Sequence, residues 1–146
     1  GFMGMQGLHE FAPDWYALAS GYVGRTRLTR TIGRLQGLDV VTSSFDVGLV
    51  RRHAWAEDDA VLLRVGQPMR VEDGKLDISL RHRNGVLLQR FDVVPSGRTL
   101  ELGFGYDAML SERVRMRAMV DYILNPQHSV RRPDELFAIM SIRGAF

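Results

Sequence analysis

Leu100-Glu-Leu-Gly-Phe-Gly-Tyr-Asp-Ala-Met-Leu110-Ser-Glu-Arg-Val114-Arg-Met-Arg-Ala-Met-Val120-Asp-Tyr122 decides the fold. In its first half Leu100, Leu102, Phe104 and Tyr106 alternate with Glu101, Gly103, Gly105 and Asp107. In its second half Val114, Met116, Ala118, Val120 and Tyr122 alternate with Arg115, Arg117, Met119 and Asp121. A period of two sends successive side chains to opposite faces of a strand. The link Leu110-Ser-Glu-Arg113 is tight. Parallel strands need a crossover of a dozen or more residues, so a link this short makes the pair antiparallel.

The same period extends in both directions. Phe45, Val47 and Leu49 follow it, as do Val61, Leu63 and Val65, then Leu76, Ile78 and Leu80. Leu87, Gln89, Phe91 and Val93 form another run, and Leu136, Ala138, Met140, Ile142 and Phe146 close the chain. Turn-forming residues separate them: Glu57-Asp58-Asp59, Glu72-Asp73-Gly74, Asn84-Gly85, Pro95-Ser96-Gly97 and the longer polar segment from Asn125 to Pro133. Asn84-Gly85 suits a tight hairpin turn with positive φ at both positions. Nearer the N-terminus, Phe2 to His9 and Trp15 to Thr26 are expected as strands, although Asp14 could instead cap a helix. Residues 31–41 read as a loop with room for a short helical turn. Pro68 cannot donate to a ladder and is expected at a bulge or a rim. The expectation is an all-β, antiparallel up-and-down meander of about nine strands, forming one domain over residues 1–146.

Composition narrows the function. Without cysteine there is neither a disulfide framework nor a thiolate metal site. No run approaches the ~18 apolar residues of a membrane helix, which excludes a helical span and leaves strands open. A net charge of +2 gives no argument for nucleic acid, and none is expected as a partner. Lys75 is the only lysine among the 19 basic residues, and arginine suits fixed, hydrogen-bonded positions.

Periodicity does not say which face is outside. In a soluble barrel or sandwich the apolar face would be core, enclosing an apolar ligand. In an outer-membrane barrel it would face lipid, with the polar face lining a lumen. Three features favour the membrane. The polar face mixes glycine with charges of both signs: Asp46, Arg64, Asp77, Arg81, Glu101, Arg115, Arg117, Asp121 and Arg143. The runs at 98–109, 113–124 and 136–146 are about 11–12 residues long, enough to cross a bilayer at a tilt and longer than the ~5–6 of an ordinary strand. Phe45, Trp55, Tyr106 and Tyr122 fall towards strand ends, where an aromatic girdle would sit.

Several pieces also occur in a telling order. They are Gly24-Arg-Thr-Arg27, Thr42-Ser-Ser-Phe45, Arg51-Arg52, Val65-Gly-Gln-Pro-Met-Arg-Val71-Glu-Asp-Gly74, Val94-Pro-Ser-Gly-Arg98, Glu101-Leu-Gly-Phe-Gly-Tyr106 and Leu110-Ser-Glu-Arg113. With the closing strand to Phe146, they resemble the C-terminal translocator barrel of autotransporter-type, subtilisin-like serine proteases of Gram-negative bacteria. The resemblance covers about residues 15–146. It implies an outer-membrane β-barrel of roughly twelve strands that anchors and exports an N-terminal passenger. It also implies that the closing strand, through Met140, Ile142 and Phe146, is the signal read by the barrel-assembly machinery. Gly144 departs from the larger apolar residue usual there, and Arg81-His-Arg-Asn-Gly85 is shorter than the corresponding loop. About nine strands are too few for that barrel, so further strands are expected upstream of Gly1 or from other chains.

No catalytic motif accompanies this pattern. There is no G-x-S-x-G elbow, P-loop or H-E-x-x-H, and no protease Asp, His and Ser segments. His9, His53, His82 and His128 lack metal-ligand spacing, and no cofactor or metal is expected. Ser96 reads as a turn residue, and Asp58-Asp59 and Glu72-Asp73 as solvated turn acids rather than calcium ligands. Arg51-Arg52 and Arg131-Arg132 lie where they would meet solvent or lipopolysaccharide phosphates. The expected partners are outer-membrane lipid, the barrel-assembly machinery and a passenger or linker in the lumen. A small diffusion pore is a further alternative.

Overall fold

The computed structural model describes residues 1–28, 34–82 and 85–144. Its strands are β1 (Phe2–Ala12), β2 (Trp15–Leu28), β3 (Leu35–Arg52), β4 (Asp59–His82), β5 (Gly85–Asp92), β6 (Leu100–Ser111), β7 (Val114–Leu124) and β8 (Glu135–Gly144). All belong to one antiparallel sheet in the order β1-β2-β3-β4-β6-β7-β8, with β5 also on β4. The sheet is a meander and is not closed: among the described residues no ladder joins β1 to β8.

Two expectations are corrected. The runs Val61–Val65 and Leu76–Leu80 are one continuous strand, β4, rather than two strands divided by a turn at Glu72-Asp73-Gly74. The ladder with β3 carries the chain straight through, pairing Gly74 with Val40 and Asp73 with Val41. The irregularity that Pro68 and the acidic residues require is absorbed by register shifts near Pro68 and Glu72, at the steps Ser43/Phe45 and Val41/Thr42. The segment expected as a loop over 31–41 is already strand from Leu35, because β2 and β4 flank it and Val40 and Val41 suit a pleated surface; residues 31–33 lie outside the described residues. Asp14 sits in the β1–β2 turn with φ 65° and caps no helix. Asn84 is outside the described residues, while Gly85 takes φ 138°, which a side chain would resist.

β5 and β6 occupy the same side of β4. β5 pairs Lys75 to His82, and β6 pairs Asp59 to Gly66. They run in the same direction and form one interrupted lane, so the eight strands make seven lanes. The lower end of the sheet carries turns at 13–14, 53–58 and 112–113. At the upper end the β2–β3 and β4–β5 hairpins continue well past the start of β6.

Cross-strand register assigns the faces, since directly paired residues point the same way. One row runs Gly7, Ala19, Val47, Val65, Leu102, Tyr122, Leu136, and the next runs His9, Ala17, Leu49, Leu63, Phe104, Val120, Ala138. This apolar face is open: Leu63 is 52% exposed, Leu102 42% and Ile142 59%. The opposite face carries the charges and shelters its acids, with the side chains of Asp107 and Asp121 only 19% and 12% exposed. Ala108 is the one buried hydrophobic residue among those described. The sheet thus has no apolar core of its own, and a sandwich with these faces packed inside does not describe it.

Higher up, the polarity inverts. Following the outer face along β2 leads from Ala19, Gly21 and Val23 to Arg25 and Arg27, and along β3 from Val47 and Phe45 to Ser43, Val41 and Asp39. Lys75, Asp77, Arg90 and Asp92 continue this charged outer surface, which also carries the apolar Val41, Leu88 and Val86. On the inner face, Asp46 and Ser44 give way to Val40 and Leu38, which meet Gly74, Leu76 and Phe91. A lower belt that is apolar outside and holds its charges inside, beside Leu18, Val50, Leu62 and Met119, therefore carries an upper storey whose charges lie mainly outside.

Candidate functional site

The charged inner face of the belt is the candidate site. β4 places Arg64 between β3 and β6, where it meets three carboxylates. Its Nη2 donates to Glu101 Oε2 at 2.6 Å, its Nε lies 3.5 Å from Asp46 Oδ2, and Nη2 lies 3.9 Å from Asp121 Oδ1. Arg64 Nε and Asp121 Oδ1 are both buried without a hydrogen bond. Glycine makes room for this cluster: a Cβ on Gly66 would sit 2.7 Å from Asp46 Oδ2, and one on Gly103 2.6 Å from Asp121 Oδ1. The inner glycines that interrupt the charged residues in sequence therefore clear space for the ion pairs.

A second group lies nearer the lower end. Asp107 accepts from Arg115 Nε at 2.6 Å and Arg117 Nε at 2.8 Å, and Arg143 stands opposite Arg115 in the β7–β8 ladder. The inner face is therefore acid-rich at mid-height and arginine-rich below. Asp46, Arg64, Glu101 and Asp121 are brought together, and so are Asp107, Arg115 and Arg117. Asp77 stands apart, in the upper storey on the same face as Lys75, paired with Arg90 at 2.7 Å. Arg81 pairs with Val86 along the backbone, and its side chain is outside the described residues. Met140 and Ile142 lie on the open apolar face of β8, and Phe146 is outside the described residues.

Pairing in the upper storey is tight enough to move carboxylate protonation. Asp39 accepts from Arg25 at 2.8 and 2.9 Å and from Arg27 at 2.8 and 3.1 Å, and these bonds hold it far below the usual carboxylate range. The Arg90 guanidinium likewise lowers Asp77.

Sequence reading missed a third constellation, where belt and upper storey meet. Glu72 accepts from Ser43 Oγ at 2.6 Å, Arg70 Nη1 at 2.5 Å and Arg98 Nη2 at 2.8 Å. Arg98 also donates to Gln67, and Arg70 binds the carbonyls of Gly97 and Pro95. His128 then ties three segments: its Nδ1 accepts from Thr99 N–H at 3.0 Å and its Nε2–H donates to Met69 O at 3.0 Å. These contacts seat residues 93–99 and the loop after β7 against β4. The only signal for them in sequence was the polar spelling of the Gln67–Gly74 and Pro95–Arg98 pieces, because, apart from Arg70 and Glu72, the partners lie 25 to 59 residues apart.

At the lower end Asp59 is a buried turn anchor rather than a solvated acid. It accepts from Ala54 N at 2.6 Å, Trp55 N at 3.0 Å and Tyr106 Oη at 3.1 Å. Trp55 packs on Tyr106 with ring centroids 5.2 Å apart, and Arg51 covers Trp15. His53 pairs with Asp14 of the neighbouring turn at 3.1 Å. No group of His, Asp and Glu among the described residues could hold a metal ion. Comparison with protein-family models, curated proteins and solved structures finds no match.

Proposed function

We propose that this chain is wall from an outer-membrane β-barrel that anchors an N-terminal passenger and lines its route to the cell surface. The observation that carries the reading is the inversion of polarity between belt and upper storey. An outer face that changes from apolar to charged along the same strands has two surroundings, and lipid below an aqueous layer supplies both. Val114 and Tyr122 are eight residues apart on the outer face of β7. That is about 27 Å of strand, or roughly 20 Å of height at a ~40° tilt, close to the ~25 Å apolar band of such barrels. Trp15, Trp55 and Tyr106 gather at one margin of the belt, as a girdle would. Short turns below and protruding hairpins above orient the lower end towards the periplasm.

In this reading the role is conduction and anchoring, with no chemistry in the chain. A wet lumen whose wall carries paired charges and glycine gives a passing segment polar partners. The order of sequence pieces resembling autotransporter translocators supports export over simple diffusion. The assembly machinery would read β8, and lipid would cover the outer belt.

The test is expression of the full-length gene product behind a signal peptide, followed by carbonate and urea washing of outer membranes. The expected result is retention, an unboiled band that migrates differently on SDS gels, and surface exposure of a tag fused at the N-terminus of the mature full-length product. Release into the wash contradicts the membrane assignment. Retention with the tag held inside contradicts export.

A further inference from the structure

Arg51 and Arg52 are neighbours in sequence but face opposite ways at the lower end of β3. Arg51 pairs with Trp15 and Val61, which puts it on the outer face with Leu49 and Leu63. Arg52 pairs with Ala60, which stands beside Asp107 on the inner face. Each guanidinium lies over a ring. Arg51 Cζ is 5.2 Å from the centre of Trp15, and Arg52 Cζ is 5.0 Å from that of Tyr16. Of the two, only Arg51 looks towards lipid.

Arg51 also differs from the outer arginines of the upper storey. Arg25 and Arg27 meet Asp39, and Arg90 meets Asp77. Among the described residues no carboxylate pairs with Arg51, and Trp15 is its neighbour instead. A guanidinium lying over a ring spends its face and keeps its N–H donors, in a planar fork that fits the oxygens of a phosphate. At the margin of the apolar belt, the anions within reach of that fork are lipid headgroup phosphates.

An apolar groove adjoins the charge. Trp15, Trp55, Leu49, Val61 and Leu63 line it with Arg51, and its volume is about 170 Å³. Leu49 and Leu63 lie one step further from the turns than Arg51 and Val61, so the groove leads from the guanidinium into the belt. It is smaller than the ~300–1,000 Å³ of a small-molecule pocket and suits a single chain. A free phosphate would satisfy Arg51 and leave the groove empty, whereas an amphiphile with an anionic head fills both.

Resting on the membrane reading above, we infer that this corner binds one glycerophospholipid of the periplasmic leaflet, with its phosphodiester on Arg51 and the start of an acyl chain between Trp15 and Trp55. The turns at 13–14 and 53–58 that flank Arg51 belong to the end assigned to the periplasm. Lipopolysaccharide occupies the opposite leaflet and is not the ligand here.

The experiment uses the full-length gene product, extracted from carbonate-washed outer membranes in mild detergent and titrated with dioleoylphosphatidylglycerol. Bound lipids are counted by native mass spectrometry. The expected result is one tightly held phospholipid on the unaltered protein and on Arg52→Gln. Arg51→Gln should weaken it about tenfold, as for one charge-assisted hydrogen bond lost. Trp55→Ala should weaken it too. The shifted unboiled band confirms that each variant is folded. If Arg51→Gln does not give that band, Trp55→Ala, altering a side chain 71% exposed, carries the test. Unchanged affinity in the folded Arg51→Gln or Trp55→Ala variant overturns the inference. So does an equal loss in Arg52→Gln, or displacement of the phospholipid by lipopolysaccharide. If carbonate releases the protein, the membrane reading fails. The same titration of the released protein with soluble dihexanoylphosphatidylglycerol then decides the site by itself.

Discussion

Arginine placed along the outer face of β7 should cost most at the middle of the belt and almost nothing in the upper storey. Val114, Met116, Ala118, Val120 and Tyr122 all point outward, and Ala118 lies midway between the ends. In lipid, arginine at that depth costs about 2–4 kcal/mol, falling to ~0–1 at the interfaces. In water, an outward and partly exposed position would change stability by no more than ~0.5 kcal/mol. Val120→Arg and Val41→Arg make the comparison within one residue type, because Val41 is also on the outer face but lies above the inversion. The expected difference of about 3 kcal/mol is roughly a hundredfold in the folding equilibrium. It is read by urea titration of the full-length product refolded into phospholipid vesicles, following tryptophan emission. A flat profile from Val114 to Tyr122, or a Val120→Arg cost no larger than that of Val41→Arg, refutes the reasoning.

Three other outcomes follow from the inner face and the upper storey. Arg64→Ala leaves Asp46, Glu101 and Asp121 facing one another and should cost about 1–3 kcal/mol, partly restored by adding Asp121→Asn, in the same urea titration. Asp39 and Asp77 have lowered pKa values, so their ion pairs stabilise the upper storey at neutral pH and lose that contribution as the pH falls below the ordinary carboxylate range of about 4. Hydrogen exchange should therefore quicken in the β4–β5 hairpin below that pH while β6 and β7 stay protected, and an unchanged hairpin contradicts the assignment. His128→Ala removes the bridge between Thr99 and Met69 and should expose residues 93–99 and 125–134 to protease without altering the belt.

Much of this fold was legible because a period of two survives wherever one face is apolar. The hairpin from Leu100 to Tyr122 and the strands at Phe45 and Leu136 are plain for that reason. The failures sit where local chemistry is overruled by ladder partners. Glu72-Asp73-Gly74 spells a turn, yet β3 on one flank holds it extended, and Glu72 is retained because Ser43, Arg70 and Arg98 meet it. Residues 35–41 lack a clean alternation because Gly37 and Asp39 share a face with Val41, and only the register across β2 and β4 makes them strand. The inner charges were visible as a list but not as two clusters, since Arg64 and Asp121 are joined across three lanes and not along the chain. The inversion of polarity was hidden for the same reason: Asp77 alternates like Glu101, but its face is fixed by Gly37 and Arg90.

The central claim is that the open apolar face of the belt touches lipid. Nitroxide labels at single cysteines replacing Leu63, Leu102 and Lys75 test it directly, with the full-length product in bilayers and relaxation measured against oxygen and a water-soluble nickel chelate. The account predicts that Leu63 and Leu102 positions favour oxygen and are shielded from the chelate, while the Lys75 position, on the same face above the inversion, shows the reverse. Equal access of the chelate to all three, or exclusion of both reagents from Leu63 and Leu102, would contradict it.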